Sequence, residues 1–105
     1  MRRLIVAVVV ALACAVRTGA AQGPDGAALY KQHCKSCHGA KGIPPANMRT
    51  VFPELKTLAD SGKFAAIPLD TIEAVLRKGK GHMRSFQGTL KPEEMAAVAK
   101  YVKTL

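Results

Sequence analysis

The run Cys34-Lys35-Ser36-Cys37-His38 constrains this chain more than any other stretch. It closes a segment of helical character and opens a loop rich in glycine and proline. On a helical turn, positions i, i+3 and i+4 share one face, so two thiols and one imidazole are presented together to a single ligand. A redox C-x-x-C pair of the thioredoxin type needs a strand–helix–strand setting, and nothing near Cys34 reads as a strand. A structural zinc ion needs a fourth ligand, and only His33 and His82 remain, at no regular spacing. A disulfide between Cys34 and Cys37 closes too small a loop to staple a fold.

The order C-x-x-C-H is instead the attachment pattern of a c-type haem, in which both thiols add to vinyl groups and the histidine binds iron. One covalent haem c is therefore expected, tethered by Cys34 and Cys37, with His38 as one axial ligand of the iron.

Upstream, Arg2-Arg3 precedes an almost unbroken apolar run from Leu4 to Ala15, and Gly19, Ala20 and Ala21 supply small residues for cleavage. Residues 1–21 read as a secretory signal peptide, and residues 22–105 as the single folded domain. The apolar run is shorter than the roughly 18 residues that a membrane span needs. Cys14, within it, is an alternative lipidation site, but Ala11 stands where such sites favour leucine.

A domain of this size has a small core and ordinarily needs a staple, which a covalent porphyrin would supply. Loss of Arg2, Arg3 and Arg17 leaves 13 basic and 7 acidic residues, a net charge of +6. No basic stripe with interleaved aromatics is present, so nucleic acid is not the expected partner, and an acidic protein or an anionic membrane face fits better.

Along the domain, Asp25 is a good N-cap for a first helix from about Gly26 to Cys37. Gly39, Gly42, Pro44 and Pro45 then predict an irregular loop to about Pro53. A short helix is expected over Glu54–Asp60, and another opens at Pro68 or Asp70 and is closed by Gly79. A second loop spans Gly79 to Gly88, and a last helix begins at Pro92 with Met95, Val98, Val102 and Leu105 as its apolar stripe. The domain is expected to be all-α, three to four helices wrapped around the haem.

Several residues compete for the second axial position. Met95 belongs to a helix stripe and is more simply core. Met48 lies only ten residues after His38, whereas Met83, in a glycine-bracketed loop 45 residues on, has chain enough to reach the opposite face of the ring. Met83 is the better candidate. His82, Met48 and an open position are the alternatives, and His33 reads as a solvated surface residue.

With these residues in view, the chain resembles the class I monohaem cytochromes c. Gly26-x-x-Leu29-Tyr30, Cys34-x-x-Cys37-His38-Gly39, Pro53-x-Leu55, Gly79-Lys80-Gly81-x-Met83 and a last helix containing Tyr101 carry the resemblance across the domain. It implies that the first and last helices cross near Gly26 and the aromatic residues, and that His38 and Met83 are the axial ligands. It also implies a proline carbonyl, from Pro44 or Pro45, accepting the other N–H of His38. Arg84 stands where the family usually has proline, which predicts a looser methionine loop. Lys91 replaces the usual Ser or Thr cap of the last helix, predicting a poor cap.

The function expected is that of an exported, periplasmic, single-haem electron carrier with no substrate chemistry. Lys35, Lys41, Lys78, Lys80 and Arg84 would frame the haem edge and steer an acidic redox partner. The rival readings are a haem subunit of a larger exported oxidoreductase and a gas-binding or sensing haem protein.

Overall fold

The structure, a computed structural model, describes residues 23–59 and 63–105. The expected export segment, Cys14 and Asp60 lie outside the described residues. Five helices follow one another: α1 (Gly26–His33), α2 (Lys35–His38), α3 (Ala46–Val51), α4 (Leu69–Lys78) and α5 (Pro92–Val102). Among the described residues there are only isolated bridges, Lys80 with Met83 and Gln87 with Leu90, and no strand. The fold is all-α, three long helices and two short ones.

α1 and α5 form the central crossing. Gly26 makes it possible, because a Cβ there would run into the Ala97 carbonyl and crowd Tyr101 Cβ at 3.2 Å. Tyr30 and Tyr101 pack with ring centroids 5.3 Å apart. Tyr30, Val98 and Ala99 are essentially sealed from solvent, and Ile72 and Leu76 bring α4 onto the same core. Burial of a large apolar side chain contributes about 1.5–3 kcal/mol, so this shared core stabilises the fold substantially.

Four local expectations are corrected. The first helix does not run unbroken to Cys37: it stops at Cys34, whose backbone (φ −121°, ψ −30°) leaves the helical region before α2 restarts. The first loop is not wholly irregular, since Pro45 serves as the N-cap of α3, its carbonyl accepting the Arg49 N–H at 3.1 Å. Residues 54–59 form turns rather than the expected helix. Their polar groups go elsewhere, Leu58 N–H to the Gly42 carbonyl at 2.7 Å and Thr57 Oγ1 to the same oxygen at 3.1 Å, and so short an apolar pattern cannot outweigh the cost of helix nucleation. The start of α5 is better capped than Lys91 suggests, because Glu94 Oε1 reaches back to accept the Lys91 N–H at 2.9 Å.

Candidate haem site

The attachment residues are held by the break at Cys34. Cys34 N–H donates to the Tyr30 carbonyl at 2.8 Å, and the Cys34 carbonyl then accepts from Cys37 N–H at 3.3 Å and His38 N–H at 2.9 Å. One turn thus carries both thiols and the imidazole. Tyr30 Oη donates to the Gly39 carbonyl at 2.6 Å, tying α1 to the chain just past His38. Burial pushes the Tyr30 hydroxyl up to about 12.

The two thiols differ. Cys34 is buried and Cys37 is exposed, and neither is in a disulfide. Burial raises the Cys34 thiol to about 11, with the Arg84 charge pulling the other way. Burial also holds His38 below the usual histidine range, which favours the neutral imidazole that binds metals.

His38 Nδ1 is buried and has no hydrogen-bond partner, so the expected bond to the Pro44 or Pro45 carbonyl is not made. Leaving such a nitrogen unpaired costs about 1–3 kcal/mol, a cost that a bond to a further group at the site would remove. Two unpaired thiols on one turn, a neutral imidazole and an orphaned ring nitrogen fit a covalent haem. Among the described residues no group of three or more His, Cys, Asp or Glu side chains is placed to hold a metal ion directly.

The loop bearing Met83 is built from the end of α4. Gly79 (φ 76°) ends the helix, and a Cβ at that position would lie 2.7 Å from the Met83 carbonyl and 2.8 Å from Ser85 N. Lys80 and Met83 then exchange two backbone bonds, at 3.0 and 2.9 Å. Downstream, Ser85 Oγ donates to the Arg77 carbonyl and Phe86 N–H to the Leu76 carbonyl at 2.8 Å, satisfying the helix's last acceptors. Met83 is half-buried and packs against the core. The looser loop expected from Arg84 is therefore not what the hydrogen bonds describe.

Two of the other ligand candidates are otherwise engaged. Met95 is buried in the core. His82 is turned outward, its Nε2 3.7 Å from Glu54 Oε1 and its ring 5.1 Å from that of Phe52. Met48 is half-buried on α3. His33 is not simply solvated, since it is half-buried and edge-on to Phe86 at 6.0 Å.

Sequence reasoning missed Ser85 and Phe86. The available signals were a serine placed to close a turn just after a helix end, and a lone aromatic in a polar loop.

Comparison with known proteins agrees with this arrangement. Residues 21–102 match the family described as cytochrome c oxidase, cbb3-type, subunit III. The chain is 39% identical to cytochrome c6 of Anabaena variabilis over 78% of its length and 90% of that protein's. It is 31% identical to cytochrome c-553 of Nitratidesulfovibrio vulgaris, end to end on both chains. The solved structure of KustC0563, a c-type cytochrome, superposes with a TM-score of 0.67 at 32% identity, covering 76% of this chain and 95% of that one.

Fold, attachment turn and relatives together define a small c-type cytochrome. The chain belongs to the class I monohaem cytochromes c, with a covalently bound haem c, and is an electron carrier rather than an enzyme.

Proposed function

We propose that this chain is an exported carrier in which Cys34 and Cys37 tether the haem and His38 and Met83 are the axial ligands of its iron. The observation that carries the reading is the methionine loop: backbone bonds of Lys80 and Phe86 and the Ser85 hydroxyl bond hold Met83 against the core, while His82 faces Glu54. The haem supplies the redox step, gaining and losing one electron at its iron. The role of the chain is to fix that step energetically. A thioether ligand favours the reduced iron relative to a second imidazole, and an apolar core such as the one that contains Leu76, Phe86 and Met95 would disfavour the extra charge of the oxidised form.

Export rests on the apolar segment before residue 21 and on a family match that begins there. Among the described residues no helix is long and apolar enough to cross a membrane. Periplasmic placement follows from that leader.

Docking to an acidic redox protein is supported by the exposure of Lys35, Lys41, Lys78, Lys80 and Arg84. Ile43 and Val51, each two residues after a basic residue, Lys41 and Arg49, are 55% and 64% exposed. Electron transfer should slow steeply as salt rises, and rates that stay flat would exclude this docking.

A second reading, a subunit of a larger oxidase, is favoured by the description of the matched family. Against it, the chain spans 90% of the Anabaena relative, so it is similar in extent to proteins named as small cytochromes. Purification from its native membrane and soluble fractions separates the two readings. The test of the main reading is an optical spectrum of the matured protein: haem that resists acid-acetone extraction, and a weak far-red methionine–iron band that disappears in Met83→Ala while the haem stays attached.

A further inference from the structure

Arg84 follows Met83 and is exposed, yet its side chain is placed rather than free. Its guanidinium carbon lies 5.1 Å from the centroid of the Phe86 ring. That ring is buried, its backbone N–H is bound to the end of α4, and its edge contacts His33, the residue before the first tether. One side chain therefore links the loop of the sixth-ligand candidate to the tether turn.

We propose that Arg84 is a positioning residue that holds the Met83 loop through its stack on Phe86 and, next in sequence to Met83, a fixed positive charge near the sixth-ligand candidate that raises the reduction potential. The proposal rests on the reading of Met83 as axial ligand. Oxidation adds a positive charge at the iron, so a permanent cation nearby disfavours the oxidised form and stabilises the reduced one. Because Arg84 is exposed, its effect is screened by salt. A stack of this kind at an exposed site also makes it harder for the loop to swing away from the core.

The test uses the haem-loaded protein and two variants, Arg84→Gln and Arg84→Lys. The far-red methionine band of the unaltered protein comes first, and its absence overturns both the ligand assignment and this proposal. With the band present, Arg84→Gln should lower the midpoint potential, by less at high salt than at low. It should also let added imidazole displace the methionine with roughly two- to fivefold higher affinity, the equivalent of losing one exposed cation–π contact. Arg84→Lys keeps the charge and should retain most of the potential. The proposal is overturned if Arg84→Gln keeps both the potential and the imidazole affinity of the parent, or if the two variants lower the potential equally. A merely structural role would move the melting temperature and leave the salt-dependent potential shift absent.

Discussion

Cys34, Cys37 and His38 come from five consecutive residues and are arranged by bonds within one turn, whereas Met83 sits on a loop fixed by Arg77, Leu76 and Phe86. The tether side is thus specified locally, with Tyr30 adding one long strut from α1. The methionine side is specified by the end of α4 and by Phe86, the aromatic within the loop. Damage to the tether side should be all-or-none in haem attachment. Damage to the methionine side should be graded, weakening a ligand while the haem stays in place.

The largest test of that contrast replaces both Cys34 and Cys37 with serine. All haem should become extractable by acid-acetone, and the haem-free chain should lose most of its far-ultraviolet helical signal, since a domain this small depends on its prosthetic group. Retention of covalent haem in this variant would refute the tether assignment. Next comes Gly79→Ala, which forces a side chain into φ 76° and against the Met83 carbonyl. A cost of about 2–4 kcal/mol is expected from the left-handed backbone and the overpacking together, measured by denaturant unfolding. Its haem should remain covalent while the methionine band fades. An intact band would show that the helix end does not set the loop.

Tyr30→Phe probes the strut on the tether side. It leaves the buried Gly39 carbonyl without its donor, so about 1–2 kcal/mol of stability should be lost at neutral pH. The pH dependence gives a second readout. The tyrosine is raised from 10.0 to about 12 in the folded protein, so above pH 10 the unfolded chain gives up this proton first. Stability from this group is complete below about pH 10 and falls as pH rises towards 12. The phenylalanine variant should lack that alkaline decline, and an unchanged decline would assign it to another group.

The same division separates what the residues alone disclosed from what they did not. The attachment turn, the end of α4 at Gly79 and the start of α5 at Pro92 were legible because each is written in local spacing or in one residue's backbone demands, whereas the crossing at Gly26 was implied only by the family resemblance. The turns over residues 54–59 were misread as helix because their acceptor, the Gly42 carbonyl, lies more than a dozen residues away. The missing partner of His38 Nδ1 cannot be read from residue order, and the contacts of Ser85 with Arg77 and of Arg84 with Phe86, though closer in sequence, depend on how the loop turns back on α4. Lys91 misled in the opposite direction: it cannot accept a hydrogen bond, but Glu94 could already be seen three residues on.

Ser85→Ala is the smallest perturbation and the sharpest on the methionine side. Ser85 is exposed, and its hydroxyl both donates to the Arg77 carbonyl and accepts the Gln87 N–H at 3.1 Å. Water can replace these bonds, so global stability should fall by only about 0.5–1 kcal/mol. The loop, however, loses one of the ties that return it to α4 within a few residues of Met83. Imidazole competition for the iron should therefore respond more than the unfolding free energy does, the reverse of Tyr30→Phe, which should lower stability while leaving imidazole affinity near that of the parent. If both variants changed the two readouts in the same proportion, the site would be one cooperative unit, and the distinction between a locally written side and an assembled side would fail.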